Sequence, residues 1–263
     1  MRDPLGRPPV ALMVPAVLAT LLLVVPLVAM VAATHWAALP DQLRSEPLRE
    51  ALWLSLTTST AATFICLVLG LPLAWLLARV DFRGRGGLRA LVTVPLVLPP
   101  VVAGIALRTA FGRTGVIGEP LLALTGFAFP FTTAGVVLAH VFVSLPFVVI
   151  AMEGALRSAD REYDAAAATL GATRWTTFRR VSVPLALPGI LAGLVLGWAR
   201  SLGEFGATIT FNGNYPGVTQ TMPNLIYVTR QSDQDAALAL SLVMLLVSIA
   251  VLLALRDRWL GTP

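Results

Sequence analysis

The chain has 263 residues, a mean hydropathy of +0.81 and only 13% charged residues. A water-soluble domain of this length could not cover so much apolar surface, so the composition excludes an ordinary soluble protein and indicates one embedded in a lipid bilayer. The formal charge is +5, and the 19 basic residues are all arginines scattered between apolar runs, which indicates basic loops beside membrane helices rather than nucleic-acid binding.

Six charge-poor stretches are long enough to cross the hydrocarbon core as helices, which takes about 20 apolar residues. The predicted spans are 10–33, 51–78, 90–109, 132–155, 185–205 and 236–255. The first is longer than the apolar core of a secretory signal, so we expect an uncleaved first helix. A seventh apolar run, 205–229, is interrupted by Gly, Pro and Asn, and we predict a loop outside the hydrocarbon core there. The predicted fold is therefore an all-α polytopic membrane protein with six transmembrane helices.

Arginines are more frequent in the segments that a cytoplasmic N-terminus would place inside the cell. The inner set is Arg2, Arg7, Arg79, Arg83, Arg85, Arg89, Arg157, Arg161, Arg174, Arg179, Arg180, Arg256 and Arg258. The smaller outer set is Arg44, Arg49, Arg108, Arg113, Arg200 and Arg230. Because basic residues favour cytoplasmic loops, we expect a multi-pass protein of the inner or plasma membrane with both termini in the cytoplasm.

The third predicted span contains three prolines, Pro95, Pro99 and Pro100. Broken helices often line a transport path, and simple kinking explains the prolines equally well, so both interpretations stay open. Cys66 and His140 each stand alone in an apolar run and are expected to pack as structural residues. A single cysteine allows neither a disulfide framework nor a thiolate metal cluster.

Segment 158–184, between the fourth and fifth spans, has the features of a folded cytoplasmic loop. Asp160 is a suitable N-cap, and Asp164 places negative charge in the first helical turn, where the helix dipole favours it. The four alanines 165–168 are strong helix formers, and Gly171 suits the left-handed position that ends a helix. The sequence therefore predicts a short helix in this loop.

A second short helix is predicted to begin at Thr173, with Trp175 and Phe178 on one face, and Pro184 marks the start of the fifth span. Four consecutive alanines would make the first helix a narrow rod that fits a groove on another protein. No part of the chain outside the membrane is large enough to supply that groove, so a partner protein is predicted. The alternative is a helical hairpin that only fixes the angle between two spans.

The loop resembles the "EAA" loop of ABC importer permeases, whose pattern is Glu-Ala-Ala, three residues, Gly, nine residues and Ile-x-Leu-Pro. Gly171 matches the glycine, and the acidic Asp164 stands one position earlier than in the pattern, as in the oxyanion branch of the family. In the family this loop docks on the ATPase subunit and transmits its closure to the pore. The residues that the resemblance assigns to ATPase coupling are Asp164, Ala165, Ala166, Gly171, Val181, Val183 and Pro184.

Residues 202–223 resemble molybdate and sulfate importer permeases, which carry Gly-Glu-Phe-Gly-Ala followed by Gly-Asn-x-Pro-Gly-x-Thr-Gln-Thr. The tail from Asp235 onward looks more like the molybdate permeases. Neutral donors and glycine N–H groups suit an oxyanion route. The candidate pathway residues are Glu204, Thr208, Asn212, Thr219, Gln220 and Thr221. Two alternatives stay open: a turn-rich outer loop that touches the substrate-binding protein, and a boundary ion pair between Glu204 and Arg200.

The fifth span carries small residues at every fourth position, Gly189, Gly193, Gly197 and Ser201. Such a stripe allows two helices to approach closely in lipid, either within the chain or between two copies.

The resemblance covers the chain from about residue 48 to its end. It implies an N-terminal segment with the first helix (1–47), a type-1 permease domain (48–256) and a cytoplasmic tail (257–263). It also implies a homodimeric pore, an ABC ATPase dimer that carries the ATP, and an extracytoplasmic oxyanion-binding protein. The expected cargo is molybdate or tungstate, with sulfate or thiosulfate as alternatives.

The sequence contains no HExxH, GxSxG or P-loop pattern, so no catalytic, metal or cofactor site is predicted in this chain. A membrane-embedded enzyme is therefore disfavoured. An ion-gradient-driven carrier should show inverted repeats with paired broken helices and buried acids, and the sequence has no such repeat.

Overall fold

The computed structural model describes residues 10–37 and 39–256, and these contain helices and turns but no strand. The helices are α1 (Val10–Ala33), α2 (Leu39–Arg44), α3 (Glu46–Arg79), α4 (Arg85–Val97), α5 (Pro100–Phe111), α6 (Gly118–Thr125), α7 (Thr133–Ser158), α8 (Arg161–Thr169), α9 (Arg174–Thr177), α10 (Val183–Leu202), α11 (Gly206–Asn212), α12 (Met222–Thr229) and α13 (Gln234–Arg256). The all-α class is confirmed. The predictions for Arg2, Arg7, Arg258 and the tail 257–263 concern residues outside the described ones.

Five continuous helices in the described part of the chain are long and apolar enough to cross a membrane: α1, α3, α7, the run from α9 through α10, and α13. The third span, expected over 90–109, is instead a pair of helices, α4 and α5, bent by 116° at Leu98 and Pro99. Two consecutive prolines lack the N–H groups that would continue the helix, which explains the break. We call α4 and α5 the broken span.

The broken span still carries the chain from one end of the bundle to the other. α3 and α7 both end beside the loop 158–184, where Arg157 Nη2 donates to Leu77 O (3.4 Å) and Arg79 Nη2 donates to Ala159 O (3.0 Å). The two helices are therefore parallel, and the chain between them must return to the opposite end. With the broken span counted as one, the described part of the chain has six candidate crossings.

The stripe of small residues on α10 packs against α7 of the same chain. A Cβ added at Gly193 would lie 2.8 Å from the Cβ of Ala151, and one added at Gly197 would overlap the side chain of Val148. Gly189 faces Ala155 in the same way. Of the two interpretations of the stripe, the structure shows the close approach within one chain. The main core lies where α3, α7 and α10 meet, and the buried Cys66 belongs to it.

α1 stands apart from this core, because none of its membrane-spanning side chains is buried within the chain. At its far end, His35 Nδ1 lies 3.2 Å from Asp235 Oδ2 at the start of α13. Leu240 of α13 packs in one buried cluster with Leu48 at the start of α3, so α1 ends, and α13 begins, at the end of the bundle opposite the loop 158–184.

The fifth span begins earlier than the predicted 185–205, because α9, a π-helical turn at Phe178–Ser182 and α10 form one run from Arg174 to Leu202. Pro184 has no N–H to bond the carbonyl four residues earlier. The helix widens just before it, and Val183 N bonds the carbonyl of Phe178, five residues back. The second half of the loop is thus the continuous beginning of a membrane span.

Candidate functional site

The first helix of the loop, α8, begins and ends with the predicted capping residues. The Asp160 carboxylate accepts a hydrogen bond from a backbone N–H of the first turn. Gly171 has a φ of +80°, its N–H bonds Ala168 O (3.0 Å), and the next N–H, of Ala172, bonds Ala167 O (3.0 Å). This pair of bonds is the Schellman arrangement, which needs a left-handed residue such as glycine. Both predicted caps of α8 are confirmed.

The second helix of the loop, α9, is also confirmed, with Thr173 as its N-cap accepting from Thr176 N (3.2 Å). The ring of Trp175 stacks on Phe178, with ring centroids 5.5 Å apart. Phe178 in turn meets the edge of Trp75 on α3 at 5.6 Å. These aromatic contacts fix α9 against the membrane bundle.

The outer surface of the loop is left open by the described part of the chain. Ala165, Ala166 and Ala168 are exposed on α8. Beside them Leu170 is 88% and Trp175 67% exposed, large fractions for apolar side chains. We call these five residues the loop surface. Apolar side chains gathered on a polar loop are typical of a protein-docking site.

Asp164 does not belong to the loop surface, because it faces the bundle. Its Oδ2 lies 3.4 Å from Arg79 Nε, and its Oδ1 accepts a hydrogen bond from Ser182 Oγ (3.0 Å). The Arg79 side chain is only 6% exposed. Asp164 therefore ties α8 to the end of α3 across a groove of about 580 Å³. Sequence reasoning missed Arg79 and Ser182, since nothing in the spacing of the loop points to a partner in a distant helix.

The residues that match the Ile-x-Leu-Pro end of the loop pattern, Val181, Val183 and Pro184, lie at the start of α10. Val181 and Val183 are half-buried, and Val183 packs against the core between α3, α7 and α10. Pro184 is exposed in the first turn of α10. These residues hold the loop to the fifth span rather than extend the loop surface.

Segment 205–229, predicted as a loop, contains two short helices, α11 and α12. α11 packs closely on α5: a Cβ at Gly206 would lie 2.6 Å from Pro100, and one at Gly104 would lie 2.6 Å from Thr210. Asn212 and Asn224, two of the polar residues that suggest a loop, are buried in these helices, and a helix that hides polar groups inside the protein has no apolar pattern to reveal it. Residues 213–221 between the two helices are non-helical, as predicted, and Pro216 and Gly217 are exposed there.

The candidate pathway residues all lie in or beside this segment, and all are buried in the single chain. Glu204 is 1% exposed and forms the predicted pair with Arg200, whose Nη1 lies 2.7 Å from Glu204 Oε2. Its other oxygen accepts from Ala207 N (2.8 Å) at the start of α11. The remaining candidates, none more than 8% exposed, are Thr208, Asn212, Thr219, Gln220 and Thr221.

Several buried polar atoms of the segment have no hydrogen-bond partner among the described residues. They include the hydroxyls of Thr208 and Thr221 and both amide atoms of Asn212. Thr219 differs, because its hydroxyl accepts from Tyr215 N (2.9 Å). A buried polar atom without a partner costs about 1–3 kcal/mol, so packing stability does not explain these side chains.

Sequence reasoning missed a second group of such atoms on the neighbouring spans. Both ring nitrogens of His140 and the hydroxyls of Ser144 and Ser201 are buried without a partner among the described residues. A lone His or Ser in an apolar run carries no sequence signal that separates it from ordinary packing. The expected burial of His140 is confirmed, and only the structure shows that its ring nitrogens and these hydroxyls lie there without a partner among the described residues.

Residues 68–260 match the family described as binding-protein-dependent transport system inner membrane component. The chain is 48% identical over 244 residues to the molybdenum transport system permease protein ModB of Mycobacterium tuberculosis, covering 93% of this chain and 92% of that protein. It is 37% identical over 240 residues to the sulfate transport system permease protein CysT of Escherichia coli, covering 90% and 86%. Among solved structures, a bacterial ABC transporter involved in the import of the acidic polysaccharide alginate has the same fold, with a TM-score of 0.78 at 20% identity over 96% of this chain and 95% of that one.

Proposed function

The chain belongs to the family of binding-protein-dependent transport system inner membrane components, and on that basis we propose that it imports molybdate or tungstate as the pore-forming permease subunit of an ATP-driven transporter. Membership identifies a multi-pass membrane transport subunit rather than an enzyme. Molybdate is preferred because the relative named for molybdenum is 48% identical and the one named for sulfate 37%. Sulfate or thiosulfate is the alternative cargo.

The observation that carries the coupling role is the exposed loop surface, which is built on α8, a helix capped at both ends, and on the adjoining residues Leu170 and Trp175. We assign this surface to a cytoplasmic ABC ATPase, which would bind the ATP. The assignment places the loop and both chain termini in the cytoplasm, as the distribution of arginines favours. The ATPase is expected to be a dimer, so a second copy of this chain would present the second loop. An oxyanion-binding protein would dock at the opposite, extracytoplasmic end.

Import of a doubly charged oxyanion requires free energy, which in this proposal comes from ATP hydrolysis on the partner protein. A membrane potential of 100 mV, negative inside, opposes inward movement of a doubly charged oxyanion by about 4.6 kcal/mol. A thousandfold accumulation adds about 4 kcal/mol. Passive diffusion cannot supply this free energy. The family membership also favours ATP-driven import over the ion-gradient-driven carrier.

The candidate pathway residues take an indirect part in this proposal. A path between two copies is lined by side chains that are exposed in one copy, and Thr208 and Asn212 are fully buried. We therefore assign the unpartnered polar groups of 204–221 to the layer of residues packed behind those that line the path. These groups become available for hydrogen bonding when the contact between α5 and α11 opens. Glu204 holds the start of α11 in place.

The docking assignment can be tested with a bulky side chain on the loop surface. Ala166→Trp should prevent co-purification of the ATPase and abolish ATP-driven molybdate uptake into vesicles. Leu124→Trp, at an exposed position of α6 at the opposite end of the bundle, is the control and should leave co-purification of the ATPase unchanged. Normal ATPase binding and uptake in a correctly inserted Ala166→Trp variant would overturn the assignment.

A further inference from the structure

The ends of α3, α4, α7 and α8 meet beside the loop 158–184 and are joined by polar contacts that no part of the proposed function uses. The first contact is the one between Asp164 on α8 and Arg79 at the end of α3. Arg79 also donates to the carbonyl of Ala159, just before α8 (3.0 Å). A single buried arginine thus holds both the first turn of α8 and the chain that leads into it.

The second contact lies in the same last turn of α3. The carbonyl of Leu77, which has no partner within its own helix at that end, accepts hydrogen bonds from Arg157 Nη2 on α7 (3.4 Å) and from Arg85 Nε at the start of α4 (2.9 Å). Arginines at a helix C-terminus also match its dipole. The end of α3 is therefore fastened to two further helices.

The third contact reaches the broken span. Glu153 on α7 is buried, and its Oε1 lies 2.9 Å from Arg157 Nη2 and 3.1 Å from Arg89 Nε. Arg89 belongs to α4, the half of the broken span nearer the loop. A buried carboxylate that two guanidinium groups share is much costlier to disturb than an exposed pair, since loss of one partner leaves a charge without compensation.

We propose that these groups form a polar relay that transmits movement of the coupling helix α8 to the bend of the broken span. The relay runs through Asp164, Arg79, the Leu77 carbonyl, Arg157, Glu153 and Arg89. Its far end is a helix pair bent by 116° at two prolines, an element that can change angle without breaking a continuous helix. Arg79, Arg89, Glu153 and Arg157 are then positioning residues for transport. The proposal rests on the proposed docking of an ATPase at the loop surface.

Substitutions in the relay at residues distant from the loop surface should uncouple ATP hydrolysis from transport. In vesicles that contain the permease, its ATPase and its binding protein, Glu153→Gln and Arg89→Gln should bind the ATPase and hydrolyse ATP within twofold of the unaltered complex. The molybdate transported per ATP should fall at least fivefold. The double variant should be no worse than the worse single one, because both changes interrupt the same connection. Arg83→Gln, which alters an exposed arginine in the turn between α3 and α4, should change neither ATP hydrolysis nor the molybdate transported per ATP.

A distance measurement reports the movement directly. Spin labels at Leu91→Cys on α4 and Ile105→Cys on α5, both exposed, should show an ATP-dependent change of separation in a Cys66→Ser background. Glu153→Gln should remove that change while ATP hydrolysis persists. An unchanged transport ratio, multiplied losses in the double variant, or an undiminished change of separation would each overturn the relay. Absence of ATPase binding or of oxyanion uptake in the unaltered complex would overturn the proposed function instead.

Discussion

Glu204 and Arg200 form an ion pair in which the two partners are buried to very different degrees. The carboxylate is 1% exposed and also caps the backbone N–H of Ala207. The guanidinium is 28% exposed and lies over the ring of Phe147, 5.9 Å from its centroid. The pair joins the end of α10 to α11, where the chain turns into the buried segment.

This difference predicts unequal effects of the two single substitutions on stability. Arg200→Gln leaves a buried carboxylate without its counter-charge and should lower the free energy of unfolding by about 3 kcal/mol. Glu204→Gln leaves a cation that can reach water, and should cost about 1 kcal/mol less than that. Thermal unfolding of the two variants in detergent measures the order. Equal losses, or a larger loss for Glu204→Gln, would contradict this account of the pair.

The close contact of α10 with α7 predicts that the stability of the protein depends strongly on glycine at position 193 and not on glycine at position 154. Gly193→Ala would force a Cβ to within 2.8 Å of Ala151 and should destabilise the protein by about 1–3 kcal/mol. Ala151→Gly in the same chain should recover most of this loss. Gly154→Ala, on α7 in open space, is the control and should be neutral or slightly stabilising. A harmless Gly193→Ala would show that the two helices do not approach this closely.

The left-handed conformation of Gly171 at the end of α8 predicts that Asn, Ala and Pro at this position have increasingly severe effects. Gly171→Asn should be tolerated best, since Asn accepts the left-handed region, and Gly171→Ala should destabilise the end of α8 by about 1 kcal/mol. Gly171→Pro fixes φ near −65° and removes the hydrogen bond to Ala168, so it should abolish transport. Membrane insertion should be normal in all three. Uptake by Gly171→Pro equal to that of the unaltered protein would count against a role for the shape of α8.

The unpartnered hydroxyl of Thr208 predicts that stability and transport respond in opposite directions. Thr208→Val removes a buried hydroxyl that has no hydrogen-bond partner among residues 10–37 and 39–256, so the melting temperature should stay the same or rise. Uptake should fall if that hydroxyl is used when α11 moves. Thr210→Val is the matched control on the same helix, because the Thr210 hydroxyl already donates to Gly206 O (2.7 Å). Loss of stability in Thr208→Val would mean that the hydroxyl has a partner in the folded protein.

Features set by local chemistry could be predicted from the sequence. The caps of α8 at Asp160 and Gly171, the start of α9 at Thr173 and the pairing of residues 200 and 204 all depend on neighbours within a few positions, and the structure has each of them. The long apolar runs likewise located the membrane spans, because crossing lipid requires a fixed length of apolar helix.

Features set by contacts between distant segments could not be predicted. The resemblance assigns Asp164 to ATPase coupling, and only the fold brings Arg79 beside it. The helices of segment 205–229 lack an apolar pattern because neighbouring helices cover polar side chains such as Thr208, Asn212 and Asn224, so the sequence predicts a loop where α11 and α12 lie. The bend at Leu98 and Pro99 was signalled by the prolines, but neither its angle nor the packing of α5 on α11 was.

The measurement that tests the central claim most directly is uptake of labelled molybdate into vesicles that contain this chain with its ATPase and its binding protein. The account predicts accumulation that requires the binding protein and requires ATP on the side of the membrane where the ATPase is bound. Accumulation should be faster for molybdate than for sulfate. Accumulation that proceeds without the ATPase and follows an imposed ion gradient would contradict it.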